Sequence, residues 1–221
     1  MYLPSHFKEQ DESVLYAFMR AHPFATLVTS SSEGPIASHL PVYLDEQKEA
    51  KACRLLGHVA RANSHWEHFA SHEKSLLIFH GPHGYISPTW YQSDHLVPTW
   101  NYASVHVTGQ IRVLEDPRDV RSVLNCLVDQ FENSRPEPWQ NQLGSDVMKG
   151  LMHAIVAFEF HVQDIEGKFK LGQNRAPADQ LASLEGLENE TENTELIRLT
   201  RTRLKTKSST AGKSAAPSSK P

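Results

Sequence analysis

Three prolines within residues 80–102 limit what this chain can become more than any other feature. Pro82, Pro88 and Pro98 punctuate the segment HGPHGYISPTWYQSDHLVPTWNY. No helix can run through it, because each proline lacks a backbone N–H and its ring clashes with the preceding turn. The segment also carries Thr89-Trp90, Thr99-Trp100, Tyr85, Tyr91 and Tyr102. Large flat side chains on short, kinked, extended pieces suit two uses: a wall against a planar ligand, or the packed interior of a barrel. The aromatics alone leave both open.

The surrounding sequence reads mainly as strands. Residues 11–21 fit a short helix capped by Asp11, with Val14, Leu15, Phe18 and Met19 at helical spacing and His22-Pro23 ending it. Residues 25–29, 35–44 and 54–59 read as strands, and Pro41 inside the second implies an edge or a bulge. Residues 45–51 read as a charged turn, and Asn63 as the cap of a short helix holding Trp66 and Phe69. Residues 76–80 and 85–87 read as two strands joined by the turn Gly81-Pro82-His83-Gly84. The longest strand signal spans 101–113. Trp100, Tyr102, Ser104, His106 and Thr108 line one face, and Asn101, Ala103, Val105 and Val107 the other. Asp116-Pro117 opens a helix with the stripe Val120, Val123, Leu124, Leu127 and Phe131. A short helix at 145–152 and a long strand at 153–165 follow. From Ala176 the pattern turns helical and polar, and residues 208–221 are low-complexity and expected to be disordered. Hairpins with a few helices around them predict a mainly β (α+β) fold, a closed or split antiparallel barrel with peripheral helices. Nothing alternates strand and helix, and no GxGxxG or phosphate loop is present, which argues against a dinucleotide fold.

Charge narrows the partners. Of the 22 basic residues, seven lie in 196–221, a stretch without an acid. Residues 1–195 therefore hold 15 basic against 26 acidic residues, a net charge of -11. An acidic body repels phosphate backbones, so contact with DNA has to be local, tail-driven or indirect. No run reaches the length of an apolar membrane span, and the N-terminus lacks the basic start and apolar stretch of a secretory signal. Cys53 and Cys126 have no paired spacing. A reduced, cytoplasmic location is the expectation, without membrane contact.

Four clusters offer chemistry. His65, His68 and His72 follow the third strand, and 68 and 72 share a helix face, but neither HExxH nor a nearby cysteine supports a metal. Residues 57–64, GHVARANS, run from a strand into a helix start. Free N–H groups there, with Arg61, Asn63 and Ser64, suit a phosphate; an ordinary capped helix beside a solvated arginine suits them equally. Ser38 and His39 sit in a half-buried strand and need partners, either backbone or a ligand edge. Residues 167–175, GKFKLGQNR, concentrate cations and amides after the last strand, as a solvated loop or as a clamp on a polar, anionic ligand. No Ser-His-Asp, Cys-His or paired-carboxylate arrangement follows from the spacing. Catalytic residues are not assigned, and any redox chemistry has to come from a cofactor.

At these residues the chain resembles the PaiB-type family of FMN-binding negative transcriptional regulators, similar in fold to the pyridoxamine-phosphate-oxidase-like split barrels. The matching pieces are MYLPSHF at the start, HPFATLVT at 22–29, ASHLP at 37–41, LLGHVARAN at 55–63 and GPHGYISPTWY at 81–91. VPTWNYASVHV at 97–107, RPEPW at 135–139 and EGKFKLGQNR at 166–175 complete an ordered set across roughly residues 1–190. The resemblance implies an FMN-binding split-barrel domain over 1–190, which leaves a basic helical segment at 191–207 and the tail 208–221. It implies a homodimer with FMN at the interface. Ser38, His39, Arg61 and Asn63 would hold the phosphate. Trp100, Asn101 and Tyr102 of the other subunit would line the ring, with Lys170, Gln173 and Asn174 from the polar run. Gly172 departs from the family pattern, which commonly has Ser there.

Three functions compete. The first is a flavin-binding negative regulator of transcription, acting through DNA or a protein partner. The second is an FMN-dependent oxidoreductase on a small molecule. The third is a haem-binding or haem-degrading split barrel, with His106 and His161 as axial candidates on strands. The basic tail suits a nucleic-acid or membrane-surface contact or a merely solubilising end, and truncation after Glu195 is expected to separate these readings.

Overall fold

A computed structural model describes residues 1–47, 52–69 and 74–211. In chain order the elements are β1 (Lys8–Glu9), α1 (Glu12–Ala21), β2 (Phe24–Ser31), β3 (Gly34–Pro41), β4 (Tyr43–Gln47), β5 (Ala52–Ala60), β6 (Ser75–Ile86), β7 (Thr99–Leu114), α2 (Pro117–Glu132), α3 (Ser145–His153), β8 (Ile155–Lys170), α4 (Pro177–Glu190) and α5 (Thr194–Ala211). The sheet runs β3-β2-β6-β7-β8-β5-β4, and β1 pairs with β8. The chain divides into two compact units: Met1, 10–80 and 105–167 in the first, and 2–9, 81–104 and 168–221 in the second.

In the first unit the alternation of β2 decides what is inside. Ala25, Leu27 and Thr29 are buried, with exposed or half-buried residues between them. Leu27 pairs with Ser38 and Ala25 with Leu40 across the antiparallel β2–β3 ladder, so those residues share the inner face. Leu55, Val59, Phe158 and Phe160 are also buried, and Phe69 meets Phe158 edge-on at 5.3 Å. The amphipathic α2 covers the opposite face of β5 and β8, packing Val120, Val123 and Leu127 on Leu56, Leu114 and Ala157. Each such leucine or valine contributes about 1.5–3 kcal/mol by leaving water. Glu159, 3% exposed, accepts from Arg54 and Arg112, each at 3.0 Å, and pairs with His161 at 2.5 Å. Burial pushes its carboxyl pKa up, but Arg112 and the charges of His161 and Arg54 outweigh burial, and the net shift is downward.

The second unit is built around α4 and α5. Leu184, Leu187 and Leu196 form its apolar interior. Asp179, in the first turn of α4, accepts from the backbone N–H of Gln92 and Ser93 at 2.9 Å and from the Ser93 hydroxyl at 2.8 Å. It thereby ties down the loop that follows the proline-rich segment. Arg201 pairs with Glu188 and Arg203 with Glu9, each at 2.6 Å.

Several expectations change in detail. Residues 76–80 and 85–87 belong to one strand, β6, with no turn at Gly81–Gly84. The β2 ladder ends at Phe79, so Pro82 breaks no bond on that side of the strand. Residues 35–44 are two strands, not one: Pro41 closes β3, Val42 interrupts, and β4 begins at Tyr43 at the opposite end of the sheet order. Residues 45–47 belong to β4, and 48–51 lie outside the described residues. The last strand runs on to Lys170, so Lys168 and Lys170 are strand residues, not loop residues. α5 reaches Ala211, through the first four residues of the expected disordered tail; residues 212–221 lie outside the described residues. The caps at Asp11, Asn63 and Asp116 stand as read: each side chain accepts from the N–H two residues on.

Candidate functional site

In the first unit three elements bring hydroxyls, an amide and an imidazole together. Ser38, on the inner face of β3, accepts from Asn63 Nδ2 at 3.0 Å, and its Oγ lies 2.8 Å from His65 Nδ1. Asn63 also caps the 3-10 turn Ser64–His68, accepting from the His65 N–H at 3.1 Å. His65 Nε2 lies 2.8 Å from the Thr29 hydroxyl on β2. Burial, then the charge of His68, lowers the pKa of His65, which keeps its ring neutral. His39 stands on the other face of β3, as strand alternation requires. Its Nδ1 meets Thr26 Oγ1 at 3.0 Å, and its ring stacks near exposed Phe24 at 6.4 Å. Ser38 and Asn63 therefore come together, and His39 does not join them.

Arg61 is held by backbone. Its Nε donates at 2.8 Å to the O of His153, at the end of α3 where helix carbonyls lack partners, and its Nη2 donates at 2.9 Å to the O of Ile155, the first residue of β8. The guanidinium lies 5.8 Å from the centre of the Trp66 ring. The same cavity wall, around about 590 Å³, carries Lys149 and His153. The arginine is rigid and electropositive, but two of its five donors are already engaged.

In the second unit Lys168 and Lys170 project from the same side of β8. Lys168, 9% exposed, donates to Tyr2 O at 2.9 Å and lies 5.3 and 5.5 Å from the ring centres of Tyr2 and Tyr102. Lys170 donates to Thr99 Oγ1 at 2.6 Å and to Trp100 O. Among the described residues neither ammonium has a carboxylate partner. Burial, then the charges of Arg175 and Lys168, lowers the Lys170 pKa. Asn101 is 3% exposed. Trp100 is 54% exposed, with His83 at 6.0 Å and Tyr85 at 6.4 Å forming an aromatic surface around it.

Gln173 does another job. Its Oε1 accepts from Leu171 N at 2.7 Å and its Nε2 donates to Phe169 O, so its amide closes the turn after β8 and is not open to a ligand. Gly172 sits in that turn at φ +84°, a conformation that serine adopts only with strain, which accounts for the glycine. Asn174 is exposed beside it. Sequence reading placed Lys168 only within the cationic run 167–175, missed Thr29, and grouped His65 with a histidine series instead of with Ser38. Of that series, His72 lies outside the described residues, and no group of three or more metal-ligating side chains occurs among the described ones. His161 is engaged by Glu159, while burial lowers the pKa of half-buried His106. No helix among the described residues is long and apolar enough to cross a membrane.

Lys168 and Lys170 thus meet carbonyl, hydroxyl and ring partners, with no carboxylate among the described residues to balance their charge, an arrangement that can take an anion.

Comparison with known proteins shows the family and the fold. A family described as "Putative FMN-binding domain" matches residues 1–164. The protease synthase and sporulation protein PAI 2 of Bacillus subtilis is 35% identical over 192 residues, covering 86% of this chain and 90% of that protein. Among solved structures, the flavocytochrome Anf3 from Azotobacter vinelandii superposes with a TM-score of 0.59 at 14% identity, over 75% of this chain and 70% of that one. An FAD and heme binding protein from Mycobacterium smegmatis gives 0.58 at 15% identity, over 75% and 74%. At such identities these two speak for the fold alone, and the fold is the mainly antiparallel split barrel with peripheral helices.

Proposed function

This chain belongs to the PaiB-type FMN-binding family, and from that premise we propose that it binds FMN and acts as a flavin-dependent regulator of transcription. One observation carries the ligand reading: buried Lys168 and half-buried Lys170 have no carboxylate partner among the described residues. FMN supplies what these groups lack, negative charge and a planar heterocycle edged with acceptors and donors. In the proposed homodimer Ser38, Asn63 and Arg61 of one subunit suit its phosphate. Trp100 and Tyr102 of the other subunit suit the ring as apolar walls and Asn101 beside them as an edge contact, while Lys170 suits an acceptor-rich edge and Asn174 serves as an outer amide. Gln173 holds the turn in shape. When bound, FMN provides a reversible redox centre; the chain's own residues bind it, orient it and shield it. The exposed Trp100, His83 and Tyr85 surface supports a homodimer, in which the second copy covers this aromatic patch.

The absorption spectrum of protein purified without added cofactor, followed by titration with FMN, tests the ligand. Flavin bands or saturable binding support it. Colourless protein that takes up neither FMN nor riboflavin overturns it. Regulation is tested by mobility shift at physiological salt. Affinity for candidate promoters no greater than for random duplex removes direct DNA binding. Bleaching of the flavin by reduced nicotinamide without oxygen moves the function to a small-molecule oxidoreductase.

A further inference from the structure

His65 is 1% exposed, and both of its ring nitrogens lie 2.8 Å from hydroxyls, Thr29 on one side and Ser38 on the other. A neutral imidazole carries a single N–H, so this chain of hydrogen bonds has a direction. In one direction the Thr29 hydroxyl donates to Nε2, and Nδ1–H donates to Ser38 Oγ. Ser38 then accepts twice, from His65 and from Asn63 Nδ2. Both of its lone pairs are filled, and its one proton faces out of the network. In the other direction Ser38 donates to Nδ1 and turns a lone pair outward. A phosphate only accepts. Only the first direction serves it.

We propose that His65 is a positioning residue for the flavin phosphate: held between Thr29 and Ser38, it makes the Ser38 hydroxyl an obligate donor to the anion while touching no ligand atom itself. The proposal rests on the reading that this chain binds FMN. The local geometry is over-determined in its favour. Asn63 bonds the His65 backbone N–H through Oδ1 and Ser38 through Nδ2, so one side chain sets both ends of the Ser38–His65 contact. Phe69 packs edge-on against the imidazole at 5.3 Å and restricts its rotation. The role needs a donor at the Nδ1 position, which the amide of asparagine supplies and that of glutamine, reaching toward Nε2, does not.

The test is equilibrium titration of the full chain with FMN and with riboflavin, which lacks the phosphate, for wild type, His65→Asn, His65→Gln, Ser38→Ala and the double variant Ser38→Ala/His65→Gln. Losing one hydrogen bond to a charged group weakens binding about 10- to 100-fold. His65→Gln is expected to lose that much for FMN and less than about 3-fold for riboflavin, with His65→Asn recovering most of it. Once Ser38 is alanine, His65→Gln is expected to cost nothing more. Equal losses for both ligands, equal behaviour of the Asn and Gln variants, or additive losses in the double variant overturn the proposal while leaving FMN binding intact. Wild-type protein that binds neither flavin overturns the parent reading along with it.

Discussion

Lys170 shows what a half-buried cation costs a fold and how that cost can be read. Burial and two neighbouring cations lower the Lys170 pKa. Between that lowered value and the ordinary lysine value of about 10.5, the unfolded chain holds more protons than the folded one, so stability rises with pH across the window. The urea midpoint of ligand-free wild type relative to Lys170→Met is expected to rise as the pH approaches about 10.5, the comparison cancelling the opposite contribution of the half-buried thiol of Cys53, whose pKa burial pushes up to about 11. A difference that does not change with pH would show that the lysine is already compensated. Asn101 makes a second case. It is buried, and in the proposed site its amide meets the flavin edge, so Asn101→Leu is expected to weaken flavin binding about tenfold. Flavin titration of the variant reads the effect, and unchanged affinity would remove Asn101 from the proposed site.

Among the elements, α4 depends on a close approach. A Cβ at Gly186 would collide with the indole of Trp90, whose Nε1 is anchored to Glu190 Oε1 at 2.7 Å. Gly186→Ala offers better helix propensity, worth up to about 1 kcal/mol. Overpacking against a large ring that cannot retreat costs about 1–3 kcal/mol. The clash wins, and a net loss of stability in thermal melts is the expected result. Unchanged or raised stability would show that the indole has room to move. α5 is similarly held, by Leu196, which is fully buried, and by the Arg203–Glu9 pair. Truncation after Glu195 would remove both and confound charge with folding. Ending the chain after Leu204 removes Lys205, Lys207, Lys213 and Lys220 and leaves these anchors in place.

For the whole molecule, charge and exposed aromatic surface dominate. Residues 1–195 carry a net charge of -11, and two of the seven basic residues beyond them are paired with Glu188 and Glu9. That pairing further reduces the free cation available to a DNA backbone. In the proposed homodimer a 54%-exposed tryptophan is an anchor for the interface. Trp100→Glu is expected to turn a dimer into a monomer in sedimentation velocity, because it places a charge where the apolar contact should form. Wild-type protein that sediments as a monomer at micromolar concentration would end that proposal.

What the sequence determined by itself was local or ordered along the chain. The caps at Asp11, Asn63 and Asp116 were legible because a cap and its acceptor bond lie within a few residues. The strand alternation of 101–113 was legible because side-chain period is a backbone property, and the family was legible from motifs in a set order. Only tertiary structure decided which polar groups were already engaged. Arg61 meets carbonyls 92 and 94 positions away, and Lys168 meets one 166 positions away. Gln173 turns inward on its own loop, and Ser38 and His65 become partners through Thr29 and Asn63. Residue type states what a side chain can bond. Which groups lie within 3 Å of it depends on strands and helices packing from distant parts of the chain, and no local pattern records that.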